Sequence, residues 1–460
     1  MQLTRRAQVS IVVCVGVFLA SLDLFIVNIA FPDLQRDFGN TSLGSLSWVL
    51  NAYAIVFAAL LVPAGRFADR TGHKRSFLGG MALFMLASAT CAVAPNVEVL
   101  VAARTVQAAG AALMLPTSLA LLLPEFPPHR RQVAVGIWAA VGGAAAAAGP
   151  PIGGLLVEAS WRLVFLVNIP VGLAALFVGA RVLREARDPT GGRPDTIGAA
   201  LVAGGIGALA LAIVKGPDWG WGSPETVVGF VTAIVLIAAV AVRSNSHPSP
   251  IVEPELLKVR SFAFASLAIL VFYAGFGAFL LGTVLFVTTI WHESVLTAGL
   301  MLAPGPAMAG TFAVPASLLA QRVGPAAVGA IGTLLFALSG VWWLTHMSTT
   351  ADYATDLLPS LILGGIGVGL TIPSSQGAGT STLPPHRLAT GTAVLNMARQ
   401  IGTVLGVAIL VAIVGTGAQV SAFQEAWVVL VATSATASLA MLATRSKAVQ
   451  APVTAAEAVA

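Results

Sequence analysis

Residues 65–75 read GRFADRTGHKR and carry Arg66, Asp69, Arg70, His73, Lys74 and Arg75, in a chain of 460 residues of which only 9% are charged. Apolar runs flank the stretch on both sides, roughly at 46–63 and 76–94. Each is long enough to cross the roughly 30 Å hydrocarbon core as a helix. Four Lys and Arg side chains in so short a connection hold it on the cytoplasmic side, because the cationic bias of short loops sets topology. The stretch therefore predicts a charged inner loop between two membrane helices, and with it the orientation of the chain.

The same pattern recurs from end to end. The hydrophobic fraction is 57% and the mean hydropathy is +0.90, as expected of an all-α polytopic membrane protein. A β-barrel would alternate in polarity over segments of about ten residues, and no such segments occur. The net charge of +5 anchors inner loops and does not point to nucleic acid, which would call for clustered bases on a soluble face. Cys14 and Cys91 both fall in apolar spans, so neither a disulfide framework nor a metal set is indicated. The first apolar run, 9–31, is too long for a signal-peptide core and holds an Asp, so it reads as a retained helix. No His-rich metal set and no Ser with a nearby base emerges, so an enzyme is not expected.

Spans are predicted near 9–31, 46–64, 76–95, 98–123, 132–157, 162–182, 196–214, 226–242, 262–290, 296–319, 325–345, 355–380, 388–415 and 424–443. That makes fourteen, with both termini inside. The loops then predicted inside, with the termini, hold nineteen of the twenty-four Lys and Arg. Outer loops hold Arg36, Arg162 and Lys215, while Arg104 and Arg399 lie within spans. A missed helix would invert every later loop and spoil this segregation. The longest inner connections, 183–195 and 243–261, bracket a hairpin and leave six spans on each side. Two pseudo-symmetric six-helix bundles around a central cavity, with two additional linker helices, produce that count. The expected divisions are a bundle at 1–190, a linker hairpin at 191–250, a bundle at 251–445 and a cytoplasmic tail at 446–460. An internal echo is faint: LAQRVGP at 319–325 occupies the place that LVPAGRFADRTG at 61–72 occupies in the first half.

Asp23, in SLDLFIVNIAFP at 21–32, is the first residue that carries chemistry. A carboxylate at mid-span costs roughly 2.5–3.5 kcal/mol on insertion scales, so it must face protein or water. There it can gain and lose a proton and, ionised, attract a cation; a structural Asp hydrogen-bonded between helices is the competing reading. Asn28 reads as glue between helices. Arg104 and Gln107 lie three residues apart on one helix face, and a guanidinium that keeps its charge in a span demands an anionic or dipolar partner. They are candidates for coupling or for a purely structural network. In GGAAAAAGPPIGGLLVEASW at 142–161, Gly142, Ala146, Pro150 and Gly154 recur every fourth residue beside Gly149 and Gly153, so one face is nearly bare. Pro150 and Pro151 remove two donors, which suits a hinge or a close-packed interface. Glu158, near the outer end, is a weaker proton site than Asp23. Within GRFADRTGHKR, Gly65 and Gly72 allow a tight turn, and Asp69 is placed to pair with an Arg or to face a neighbouring helix N-terminus.

In the second half Arg399 and Gln400, in LNMARQIGTVLG, repeat the pairing of base and amide, and Gln376 joins Ser374 and Ser375 in the twelfth span. Phe272, Tyr273, Phe276 and Phe279 recur at helical spacings, either lining a cavity for a flat apolar compound or facing lipid. Asp23, Asn51, Phe272, Tyr273, Phe276, Gln376 and Arg399 form the candidate cavity set. Trp291, Trp342 and Trp343 sit where outer-interface anchors belong.

Taken together, these residues resemble the major facilitator superfamily, specifically its fourteen-helix drug/proton antiporter family, over essentially the whole chain. Gly65, Asp69, Arg70, Gly72, Lys74 and Arg75 match the loop signature between helices two and three, and Leu22, Asp23, Asn28, Ala30 and Pro32 match the first-helix pattern. Arg104 and Gln107 match the fourth-helix pattern assigned to proton transfer. Gly149, Pro150, Gly153 and Gly154 match the fifth-helix pattern of antiporters, followed by Trp161, Arg162, Phe165, Asn168, Pro170 and Gly172. Ala108, His73 and Phe25 depart from the pattern without removing an ionisable group assigned to coupling. The resemblance implies alternating access between two bundles in a bacterial cytoplasmic membrane. Protons would drive export of a small lipophilic drug, cationic or neutral and amphipathic, with no other cofactor and one chain sufficient. The alternatives are a dedicated exporter of a metabolite, peptide or lipid and, more remotely, a non-transporting sensor or scaffold.

Overall fold

Backbone amides in hydrocarbon find partners only within their own helix, and the chain meets that demand fourteen times. The computed structural model describes residues 4–39, 41–127, 131–187, 194–248, 250–383, 387–415 and 419–444. Its membrane helices are α1 (Arg5–Ile29), α2 (Leu43–Thr71), α3 (His73–Ala92), α4 (Val97–Leu122), α5 (Arg131–Ala159), α6 (Leu163–Leu166 continuing as Asn168–Val182) and α7 (Thr196–Trp219). After them come α8 (Pro224–Ser246), α9 (Arg260–Thr289), α10 (Val295–Leu302 continuing as Pro304–Val323), α11 (Pro325–His346), α12 (Leu358–Thr380, entered through a π-helical turn at Tyr353–Leu357), α13 (Leu388–Val414) and α14 (Val420–Ala443). The fourteen predicted spans are all present, and no strand occurs among the described residues. The predicted tail at 446–460, the first residues of the linker at 191–193, and Arg130 lie outside the described residues.

Local signals set the helix ends. The side chains of Ser42, Asn96, Asp195, Ser223 and Ser294 each accept an N–H three residues on, from Ser45, Val99, Gly198, Thr226 and Thr297. These caps satisfy donors that the first turn leaves open. Pro304 opens the second part of α10, whereas Pro63, Pro116, Pro150, Pro151, Pro217, Pro315 and Pro373 lie inside continuous helices.

The stretch 65–75 is not a loop. α2 runs on to Thr71, the chain turns at Gly72 with φ 115°, and α3 begins at His73. A helix can overrun the hydrocarbon when its charged residues reach water, so charge density marked the membrane boundary and not the helix end. Gly72 is needed for the turn, since that φ is disfavoured with a Cβ; Gly65 lies inside α2, where an added Cβ would stand 3.6 Å from Pro116 of α4. The N-terminus of α3 is capped from a distance. Glu185, just past α6, accepts the Lys74 N–H at 3.0 Å and the Arg75 N–H at 3.3 Å, and Ala186 accepts the His73 N–H at 3.0 Å. Glu185→Ala should lower stability by about 1 kcal/mol, the usual worth of such a cap, read as a lower midpoint of thermal unfolding in detergent. An unchanged midpoint would mean that water replaces the carboxylate at no cost.

Helices α1–α6 pack together as one bundle and α9–α14 as the other. α7 packs on both α2 and α13, and α8 packs chiefly on α7. The Asp195 carboxylate ties the hairpin by bonding Arg243 at 2.7 Å. Burial opposes its charge, yet the Gly198 N–H and the Arg243 guanidinium hold it below the usual carboxylate range. The two bundles also repeat one crossing in detail. A Cβ on Gly110 of α4 would lie 2.7 Å from Gly80 O and from Phe84 N of α3, and one on Gly367 of α12 would lie 2.7 Å from Gly332 O and Phe336 N of α11. Gly324, in the echo LAQRVGP, turns with φ 89° as Gly72 does. The half-repeat, faint as letters, is therefore plain as backbone approach.

Two expectations fail on packing. Trp343 is buried and stacks on Trp427 at 4.7 Å instead of anchoring an interface. Asn28 donates to Leu24 O of its own helix at 3.0 Å, not across helices.

Candidate functional site

Five helices converge on Asp23, which is 0% exposed. From α4, the Arg104 guanidinium donates to Asp23 Oδ2, to Gln107 Oε1 at 2.7 Å and, through Nε, to Val49 O of α2 at 3.2 Å. It also lies 4.1 Å from the Tyr53 ring centroid. Gln107 Nε2 donates to Asp23 Oδ1 at 2.9 Å and to Ser88 Oγ of α3 at 3.2 Å. Asn168 of α6 donates from Nδ2 to the same Ser88 oxygen at 3.0 Å and reaches Asp23 Oδ1 at 3.5 Å. The i,i+3 spacing brought Arg104 and Gln107 to one face, as expected; the third partner, Asp23, comes from 81 residues away.

The network is one buried ion pair with its remaining oxygens occupied. Such a pair is tolerable only while both charges are present, because removing one partner strands the other at a cost of about 3–5 kcal/mol. Sequence reasoning missed Ser88 and Tyr53 as members. Ser88 carries no signal in an apolar span, whereas Tyr53, one of three tyrosines in the chain, was findable as a rare polar aromatic at mid-helix. Glu158 does not join: it is exposed at the end of α5.

The glycine-rich face of α5 serves two neighbours. Added Cβ atoms on Gly149 and Gly153 would stand 2.8 Å from Phe25 Cβ and 3.0 Å from Ile26 Cγ1 of α1, while one on Gly154 would stand 3.1 Å from Leu296 Cα of α10. From the other bundle, a Cβ on Gly299 of α10 would meet Pro150 O at 2.5 Å. The bundles thus touch backbone to backbone between α5 and α10. Gly299→Val should force that contact apart, lengthening the distance between spin labels at the exposed positions Leu155 and Leu300. An unchanged distribution would show that the helices absorb the side chain.

At the Gly72 end the bundles meet through charge. Asp69 lies 3.6 Å from His73, and Arg70 is exposed. Lys74 Nζ donates to Ala180 O at 2.8 Å, and Arg75 lies 3.8 Å from Glu185. Glu253, in the segment leading into α9, stands 3.8 Å both from Arg66 of α2 and from Arg387 before α13. Arg387 also bonds Glu255.

In the second bundle Phe272 and Tyr273 are buried, not lipid-facing. Phe272 stacks on Phe276 at 6.0 Å, Tyr273 meets Phe276 edge-on at 5.6 Å, and Phe336 closes on Phe272, Phe276 and Phe279 at 5.2 to 5.9 Å. Arg399 of α13 lies 5.8 Å from the Tyr273 ring centroid. Asn51 of α2 is 1% exposed with both amide atoms unpartnered, and Gln376 Oε1 and Ser374 Oγ are likewise buried without partners. Gln376 lies only four residues from the end of α12, well away in depth from Arg399.

Fourteen membrane helices in two bundles, meeting along a seam with intramembrane charge, define a polytopic membrane transporter. The chain belongs to the Major Facilitator Superfamily, whose model matches residues 13–407 and, in a second match, 266–458. It is 33% identical over 404 residues to the tetracenomycin C resistance and export protein of Streptomyces glaucescens, covering 86% of this chain and 74% of that one. It is 36% identical over 412 residues to the puromycin resistance protein pur8 of Streptomyces alboniger, covering 88% and 81%. A crystal structure of a peptide transporter, POT, in complex with sulfate superposes with a TM-score of 0.70 at 17% identity, covering 95% and 94% of the two chains; at that identity the likeness concerns the fold.

Proposed function

We propose that the chain is a proton-coupled antiporter that exports small lipophilic molecules by alternating access, with Asp23 as the proton site. The observation that carries this is the Asp23–Arg104 pair, the one acid and base bonded to each other at depth in the first bundle among the described residues. A proton reaching Asp23 neutralises the partner of Arg104, whose fixed charge must then seek the Val49 carbonyl, Gln107 or water. That exchange of partners among α1, α2 and α4 biases how the first bundle packs on the second. Gly149, Pro150, Gly153 and Gly154 provide the close-packed pivot. Gly65, Asp69, Arg70, Gly72, Lys74 and Arg75, with Arg66, Glu253 and Arg387, form the latch at the opposite end. Released from Arg104, an ionised Asp23 is also free to hold a cationic cargo. Relatives named for tetracenomycin C resistance and export and for puromycin resistance support a small organic cargo.

The Gly72 end and both termini lie in the cytoplasm of a bacterial cell, in keeping with the cationic loops. The bundles are 1–190 and 251–445, with 191–250 as the linker hairpin, and one chain contains the whole path. The test is movement of ethidium in proteoliposomes with and without an imposed pH gradient. Acceleration by the gradient is expected. Equal rates in both conditions would leave a transporter of this fold that is not driven by protons.

A further inference from the structure

Arg399 is the one mid-span cation that no carboxylate answers among the described residues. It lies eleven residues beyond Leu388 and fifteen before Val414, roughly 17 Å from the nearer end of α13 at 1.5 Å per residue. Arg104, at comparable chemistry, is bonded to Asp23, Gln107 and the Val49 carbonyl. Arg399 has the ring and hydroxyl of Tyr273 beside it and no ion pair among the described residues, and it is half-buried, not sealed. The other acids of the membrane helices, such as Glu158 beside the end of α5 and Glu425 near the start of α14, lie at helix ends. Asp23 and Arg104 cancel. Among the described residues the membrane interior is therefore left with one positive charge, that of a guanidinium.

Its setting is that of a receptor. Gly402, three residues on, lets α9 come so close that an added Cβ would stand 3.0 Å from Tyr273 Cβ, which holds Arg399 against the Tyr273 ring, itself edge-on to Phe276. Phe276 is half-buried, and its face continues through Phe272. A planar fork of donors beside aromatic walls suits a carboxylate or similar acidic oxygen borne on a flat apolar body.

We propose that Arg399 receives an acidic group of the cargo, so that the exported class is aromatic amphiphiles carrying a carboxylate or comparably acidic oxygen, whether or not they also carry a cation. The proposal rests on reading the chain as an exporter of small lipophilic molecules and specifies their chemistry. It is tested on the purified full-length protein by fluorescence anisotropy with rhodamine 110, which has a free carboxylate, and rhodamine 123, its methyl ester. The acid should bind about tenfold more tightly or better. Arg399→Gln should bring the ratio close to one, and Arg399→Lys should keep part of it. In the unaltered protein, 1-naphthoate should displace rhodamine 110 and methyl 1-naphthoate should not, which needs no variant to fold. Equal binding of the two dyes, a preference for the ester, a preference surviving Arg399→Gln, or no saturable binding of either dye would overturn the proposal. The wild-type protein separates the two readings: an acid preference there beside transport indifferent to a pH gradient would defeat proton coupling and leave the role of Arg399 standing.

Discussion

Asp23→Asn should reduce gradient-driven movement of ethidium in proteoliposomes to the passive leak, while exchange of labelled for unlabelled substrate at equal pH persists. The amide has nearly the volume of the acid, and its single oxygen can still accept from Arg104, while its NH2 faces the Gln107 and Asn168 donors that the second carboxylate oxygen served. What it cannot do is take up and release a proton. The substitution also leaves the Arg104 guanidinium uncompensated at 1% exposure, and a stranded buried charge costs about 3–5 kcal/mol. Folded yield and unfolding midpoint therefore have to be measured beside transport, and the surviving exchange activity distinguishes an uncoupled carrier from a collapsed one. Full retention of gradient-driven transport would sink the role assigned to Asp23.

The second large effect is on stability. Arg104→Leu should destabilise the protein by about 3–5 kcal/mol, because Asp23, at 0% exposure, would keep only the Gln107 and Asn168 amide donors against its charge. The double variant Asp23→Asn with Arg104→Leu removes both charges and should recover most of that loss, since replacing a buried pair with neutral groups is often neutral or stabilising. The cycle of unfolding midpoints in detergent reads the coupling directly. Transport should remain lost in the double variant, which separates what the pair does for folding from what it does for coupling. A double variant no more stable than Arg104→Leu alone would show that the cost lies in packing against Tyr53 and not in the charge.

Much of this was legible as letters. Fourteen apolar runs, the segregation of Lys and Arg, and the i,i+3 placement of Arg104 and Gln107 are local properties, and the helices formed where hydrocarbon leaves no alternative. The boundary at 65–75 misled because charge reports where water begins, whereas a helix ends where a residue such as Gly72 allows the turn. Phe272 and Tyr273 could be placed on a helix but not turned toward lipid or protein, since a span apolar all round has no polar face to orient it. Glu185 gave no signal at all, because its work is done on a helix more than a hundred residues earlier in the chain.

The division follows from the range of the forces. Helix formation, span number and the expected orientation depend on each segment and its solvent, so the amino-acid sequence alone determined them, as it did the presence of Asp23, Arg104 and Arg399 in the membrane. Which charges cancel depends on distances between helices far apart in the chain. Only the tertiary structure decided that Asp23 belongs to Arg104, that the face of α5 meets both α1 and α10, and that Arg399 is left beside Tyr273 with no acid paired to it among the described residues, because in a medium that screens charge so little a pair exists only where two helices bring its members into contact.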